Sequence, residues 1–311
     1  MCATRKPRAQ ILVNPIAGPR GRPLQGGRIL HHALQEAGWD AALTVVHGRE
    51  AMTRHAAIAA SQGLDVLFVA GGDGSYRAAA QALVGSATAL GPLPLGTRNV
   101  LARSIGLGPL PAGRRWLRRW TQWAAALARG RVVQTRDVGV LNGQVFLCWA
   151  GVGFDAAVVH HLEQTRHGPR GEVIWRYALT AGKMAFHWPG FVVQEPPTSG
   201  PQWMWLVLKE PRYAGDVVRL RADLHADDGR LWLWRVPGQG VVGLLRATQA
   251  WIQGHTHGRT PFLEPLPWPQ QWRLQTPQPV HLDGDPLFTT ADLQWEMRPR
   301  ALRIFGFGKA S

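Results

Sequence analysis

Cysteine is nearly absent: Cys2 and Cys148 are the two cysteines in 311 residues. That excludes a disulfide framework and a cysteine-based zinc site, and makes a reducing cytoplasm the expected setting. There is no run of about 20 apolar residues, so no transmembrane helix is expected. The basic N-terminus offers only a short apolar run, residues 11–13, before Asn14 and Pro15, too little for a signal-peptide core. Acidic residues are scarce, 20 Asp and Glu against 35 Lys and Arg, giving a net charge of +15. Such a surplus favours an anionic partner: nucleotide phosphate, nucleic acid or an acidic membrane surface. Charge alone does not choose among them. Among the 12 histidines, His31, His32, His160, His161, His255 and His257 show no metal-ligand spacing, and no internal repeat stands out.

What is present is a globular composition, 45% hydrophobic and 18% charged, in a chain long enough for two domains. Residues 66–75 read Val-Leu-Phe-Val-Ala-Gly-Gly-Asp-Gly-Ser. The apolar run 66–70 suits a strand buried on both faces. Gly71, Gly72 and Gly74 allow positive φ and close approach to a ligand. Ser75 is placed to cap a helix over 76–84. Free N–H groups at such a helix start suit a phosphate, and Asp73 puts a carboxylate in the same crevice, where it could act through Mg²⁺.

Upstream, residues 10–13 read as a strand ending in Asn-Pro-Ile-Ala-Gly at 14–18, turn chemistry that places the Asn14 amide and Gly18 near any phosphate. A helix over 27–37, a strand over 42–46 containing Thr44, and a helix over 50–61 precede the central strand. Strand and helix alternating in this way predict a doubly wound α/β domain with a mainly parallel sheet. Its ligands bind at the carboxyl ends of the strands. Downstream, residues 93–99 read Leu-Pro-Leu-Gly-Thr-Arg-Asn, a third strand-to-helix turn with Gly96, Thr97 and Asn99. Each turn alone is also an ordinary connection.

Residues 114–129 predict a basic amphipathic helix with Trp116, Trp120 and Trp123 on one stripe and Arg114, Arg115, Arg118 and Arg119 around them. It suits an anionic membrane surface or a packing helix with a buried stripe. After residue 131 the pattern changes. Strands are expected over 132–140, 144–150, 203–208 and 231–236, helices over 154–166 and 173–186, and loops in the Pro-rich stretches 196–201 and 261–269.

The three turns, in this order and spacing, resemble the diacylglycerol kinase catalytic-domain family, which includes bacterial lipid kinases and sphingosine kinases. The resemblance extends through Asp137-Val-Gly-Val-Leu-Asn142, Gly151-Val-Gly-Phe-Asp155 and Asp283-Gly-Asp285. It implies an ATP-binding α/β domain over 1–134, to which 299–311 returns, and an antiparallel β-sandwich lipid domain over 135–298. It implies transfer of the ATP γ-phosphate to a lipid hydroxyl, with Mg²⁺ held near Asp73 and the nucleotide held by Asn14, Gly18, Thr44, Gly71, Gly72, Asp73, Gly74, Ser75, Gly96, Thr97 and Asn99. The acidic residue closing the Asp-Gly-Glu motif, Asp285 here, is the implied base, with Asp137 beside it. Asp-Gly is also an ordinary hairpin signal. A lipid at the membrane surface is the implied partner, by peripheral contact through the 114–119 region. Nucleic acid is not expected, and a homodimer is compatible with the resemblance.

The chain departs from the family pattern at several places. Asp285 replaces Glu, Ser75 replaces Thr, Arg77 and Ala78 stand where Asn and Glu are usual, and Val100 stands where Asp often follows Asn99. The second-domain motif Asp-Gly-x-Leu-Asp is Asp228-Gly-Arg-Leu-Trp232 here, so one acid of a structural Mg²⁺ site found in some bacterial members is lacking. These departures keep two alternatives open: a catalytically weak nucleotide- or lipid-binding protein, and a kinase with a non-lipid acceptor.

Overall fold

The structure is a computed structural model that describes residues 5–19, 21–96, 99–108, 110–111, 115–130, 132–165, 173–197, 200–210, 212–213, 218–219, 225, 227–257 and 260–306. Thr97 and Arg114 lie outside the described residues. The chain divides into two compact units, one of residues 1–136 with 300–311 and one of residues 137–299.

The first unit alternates strand and helix as its hydrophobic pattern requires. It contains β1 (Arg8–Val13), α1 (Arg22–Glu36), β2 (Asp40–Val45), α2 (Arg49–Ser61), β3 (Val66–Gly71), α3 (Asp73–Leu83), β4 (Ala89–Pro94), α4 (Val100–Ser104) and α5 (Arg115–Arg129). β5 (Val132–Leu141) then carries the chain into the second unit. β1 lies between β2 and β3, β4 follows β3, and all these pairings are parallel. β3 and β4 are buried along their whole lengths, which is why they read as unbroken apolar runs. Near the end of the last strand, Ile304 pairs in parallel with Leu90 of β4.

Two glycines inside α1 explain a helix longer than expected. A Cβ on Gly26 would lie 2.7 Å from a Leu95 methyl, and one on Gly27 would lie 2.7 Å from a Val13 methyl. Helix propensity is given up there so that α1 can approach the sheet and α5 closely. The Gly26 carbonyl then accepts the indole N–H of Trp120 at 2.9 Å. Trp116 and Trp120 are buried in this core while Arg115, Arg118 and Arg119 stay exposed. The tryptophan stripe of α5 therefore packs inward.

The second unit is β-rich and antiparallel. It holds β6 (Gln144–Phe146), β7 (Trp149–Gly153), α6 (Phe154–Gln164), α7 (Val173–Ala185), β8 (Val193–Glu195), β9 (Gln202–Leu208), β10 (Arg212–Tyr213), β11 (Val218–Arg219), β12 (Leu231–Pro237), α8 (Gly240–His257), β13 (Leu263–Leu266), β14 (Gln270–Leu282) and the part of β15 (Asp285–Gly306) up to residue 299; from residue 300 on, β15 belongs to the first unit. The sheet order is β13-β12-β9-β7-β14-β15, antiparallel throughout. Its core includes Trp205, Trp295, Phe146 and Phe191. The expected division into an α/β part and an antiparallel β part is the observed one. Two expectations are corrected. Residues 263–266, expected as loop, form β13 at the sheet edge, where Pro265 costs no ladder bond. α8 was not expected.

Candidate active site

In the first unit, three turns emerge at the carboxyl ends of β1, β3 and β4 and lock onto one another. The Asn14 N–H donates to the Ala70 carbonyl at 3.0 Å, and its side-chain amide donates to Ser75 Oγ at 3.0 Å. Gly18 has φ 63, and a Cβ there would lie 2.1 Å from the Leu95 carbonyl oxygen. A Cβ on Gly96 would lie 2.5 Å from the Gly72 Cα, and one on Gly71 would lie 2.7 Å from the Ser75 side chain. Gly18 and Gly96 are thus required by contact between turns, and Gly71 by contact within its own, in addition to any ligand.

Asn99 closes the third turn. It sits in the left-handed region, φ 51, and its amide bonds both ways to Gly96, accepting from its N–H at 3.0 Å and donating to its carbonyl at 2.8 Å. Asn tolerates this conformation better than most residues. Beneath the turns, the buried Tyr76 hydroxyl donates to the carbonyls of Leu93 at 2.6 Å and Gly71 at 3.0 Å. Burial, and then the nearby Asp73 charge, push the Tyr76 phenol well above its ordinary pKa, so it remains a donor. Sequence reasoning missed this tie; its only signal was a tyrosine beside the Gly-rich turn.

α3 begins earlier than expected, at Asp73, with Gly72 as its N-cap and no side-chain cap. The capping role expected of Ser75 is therefore corrected: Ser75 lies inside the first turn, where its hydroxyl accepts from Asn14. Asp73 Oδ1 accepts the Leu101 N–H at 3.1 Å, which ties the start of α3 to α4. The first turn of α3, with Gly72, Asp73 and Gly74, forms an N-terminus whose backbone donors and dipole suit an anion. Thr44 is one residue from the carboxyl end of β2, opposite Leu12, where its hydroxyl accepts from Gln10 at 3.2 Å.

In the second unit, Asp137 is buried in the middle of β5. Its Oδ2 accepts from Lys209 Nζ at 3.3 Å and from the Gly229 N–H at 2.8 Å. Asp283 is the first residue of the two-residue turn joining β14 to β15, and Asp285 is the first residue after it. Asp283 adopts φ 53, and its carboxylate accepts the N–H groups of Leu147 at 2.9 Å, Cys148 at 2.8 Å and Trp149 at 3.1 Å. It anchors the β6–β7 connection. Asp285 opens β15 and pairs with Leu282.

Asp155, at the start of α6, belongs to a buried polar cluster. It accepts from His281 Nε2 at 2.5 Å and from the hydroxyls of Tyr177 and Tyr213. Burial alone would push its carboxyl up. The charge and hydrogen bond of His281, with the bonds from both tyrosines, outweigh burial and hold it below the ordinary carboxylate range. Burial and the Asp155 charge push the Tyr213 phenol well up. A Cβ on Gly151 would lie 2.2 Å from His281 Nε2, so glycine there admits the imidazole.

Comparison with known proteins places the first unit. Residues 8–128 match the diacylglycerol kinase catalytic domain. The family resemblance drawn from the three turns holds. A Pseudomonas putida protein described as a probable lipid kinase YegS-like is 28% identical over 284 residues, 87% of each chain. The diacylglycerol kinase of Bacillus subtilis is 28% identical over 148 residues, 47% of this chain and 46% of that one. The crystal structure of a Bacillus anthracis diacylglycerol kinase covers 98% of both chains with a TM-score of 0.66 at 18% identity, a likeness of fold.

Proposed function

We propose that this protein is an ATP-dependent lipid kinase that transfers the γ-phosphate to a lipid hydroxyl. The carrying observation is the interlocked set of turns in the first unit, which presents the start of α3 and the Asp73 carboxylate together at the strand ends. The catalytic-domain match and the lipid-kinase description of the P. putida relative support the same reading.

Phosphoryl transfer needs a held polyphosphate, neutralised charge and an aligned acceptor. Asn14, Gly18, Ser75, Gly96 and Asn99 form or brace the phosphate turns, and the α3 N-terminus offers backbone donors. Among the described residues there is no group of three or more His, Cys, Asp or Glu side chains able to hold a metal. A single carboxylate at a phosphate turn fits Mg²⁺ brought by the nucleotide, which supplies charge neutralisation when bound; it does not fit an all-protein cage. Asp73 is the residue that would hold it. Asp285 is assigned as the base that takes the acceptor proton, and Asp137 supports the acceptor side. Among the described residues no helix is long and apolar enough to cross a membrane. The lipid is reached by peripheral contact from the cytoplasmic side, and exposed Arg115, Arg118 and Arg119 are the candidate contacts.

The test is transfer of labelled γ-phosphate from ATP into mixed micelles of diacylglycerol, monoacylglycerol, sphingosine, ceramide and phosphatidylglycerol with Mg²⁺. A labelled lipid that disappears in Asp73→Asn is the expected result. Folded protein that binds ATP and labels no lipid would favour the binding-protein reading, for which Asp285 in place of Glu is the motive.

A further inference from the structure

Lys209 is fully buried, a rare placement for a lysine. Its ammonium meets three oxygens: the Arg230 carbonyl at 2.7 Å, Asp137 Oδ2 at 3.3 Å and Asp228 Oδ1 at 3.3 Å. The sulfur of Met297 lies at 3.9 Å. Two carboxylates, a carbonyl and a buried setting make a donor set that a hard divalent cation would also use. Here the distances and the three N–H donors are those of an ammonium.

The neighbouring substitutions agree with that occupant. The position that would supply a further acid is Trp232, whose indole N–H donates to Asp228 Oδ2 at 3.2 Å. With Trp232 in that position the motif contributes one carboxylate, Asp228, and the ammonium faces two in all. The rest of Asp228 is engaged as well, with Oδ1 accepting the Arg230 N–H at 3.0 Å. The residues present therefore do not fit the structural Mg²⁺ that the family resemblance suggests for this motif.

We infer that Lys209 is a resident cation: its ammonium fills, permanently and within the chain, the place of a structural divalent metal, and it positions Asp137 against the 228–230 turn. Lys209 follows β9, Asp137 lies on β5, the turn precedes β12, and Met297 lies on β15. One charged group thus joins four segments that are distant in sequence. The second unit then holds Asp137 in place without metal. This inference does not depend on the kinase reading, because it concerns the stability and metal response of the nucleotide-free chain.

The experiment is thermal melting of the full chain without nucleotide, in chelator and with Mg²⁺ or Mn²⁺ added. Wild type and the variants Lys209→Ala, Lys209→Met and Asp228→Asn are compared. Wild-type melting should be the same with chelator and with metal. Lys209→Ala leaves the buried Asp137 and the partly buried Asp228 carboxylates facing a vacancy and should melt about 10 °C lower. Divalent metal should recover roughly 3–5 °C of that loss once it is ten-fold above its dissociation constant. Lys209→Met refills the space with apolar atoms and should show no recovery, which separates the cation from the volume of the side chain. A wild-type gain on adding metal that vanishes in Asp228→Asn would overturn the inference. So would equal metal response of the Ala and Met variants. If neither lysine variant folds, the wild-type and Asp228→Asn arms still decide whether metal binds here.

Discussion

Asp283 opens the Asp-Gly-Asp turn that the resemblance places in the catalytic machinery, yet its geometry makes a stability prediction. Its carboxylate accepts three N–H groups from residues 147–149, and it is 8% exposed. Hydrogen bonds to a charged group contribute about 1.5–3 kcal/mol, and each buried donor left unmet costs about 1–3 kcal/mol. Asp283→Ala leaves three donors unmet and puts alanine at φ 53, a further cost of about 1 kcal/mol. Some relaxation is expected, so the loss should be about 4–6 kcal/mol, against a total stability typically near 5–15 kcal/mol. Asp283→Asn is gentler. The left-handed backbone suits asparagine, and its Oδ1 can keep the Cys148 and Trp149 bonds, which share one oxygen in the structure. Its NH₂ would then face the Leu147 N–H, donor against donor, for a loss of about 2–3 kcal/mol. Urea unfolding of the full chain, followed by tryptophan fluorescence, measures both variants. An Asn variant within about 0.5 kcal/mol of wild type, or an Ala variant no worse than the Asn one, would refute the anchoring role.

Asp285→Asn should lower kcat by at least about 100-fold, as removal of a general base does, with ATP affinity nearly unchanged; a pure affinity loss in steady-state kinetics would remove Asp285 from the base position. The folded Asp155 carboxyl is held below its unfolded value of about 3.9. Its contribution is therefore full above that value and disappears as pH falls through the folded pKa. Stability measured from pH 6 to pH 2 should fall more steeply below about pH 4 in wild type than in Asp155→Asn, and equal slopes would contradict the assignment. Trp120→Ala should cost about 3–5 kcal/mol, since the ring is fully buried and its N–H is bonded to Gly26. Replacing exposed Arg118 and Arg119 with Gln should leave stability within about 0.5 kcal/mol while weakening sedimentation with anionic vesicles; unchanged vesicle binding would remove α5 from the membrane contact.

The parts of the fold legible in the sequence are those where one signal dominates. β3 and β4 are apolar from end to end because helices cover both sheet faces. The three turns declare themselves through glycines that neighbouring backbone forces on them. Where two demands compete, the signal is lost. Gly26 and Gly27 lower helix propensity in α1 because closeness to Val13 and Leu95 matters more, so the helix reads as starting later. Pro265 marks β13 as loop, although an edge strand tolerates it. In α8, glycines and β-branched residues mask an 18-residue helix. The expected helix cap at Ser75 failed for another reason: its hydroxyl serves Asn14, 61 positions away. Long-range polar ties such as Asp137 with Lys209, or Asp155 with His281, leave no local spacing to read.

β15 has a consequence for synthesis. Phe305 packs edge-on against Phe68 and Trp39 in the core of the first unit, and Ile304 completes its sheet beside β4. A ribosome that has made the first 136 residues has therefore made an open sheet with a hole in its core. The residues that close it arrive only after the whole second unit has been translated. Up to that moment the uncovered edge of β4 is open to wrong pairings. One strand, β15, thus contributes to both units, its first part to the second unit and residues 300–306 to the first.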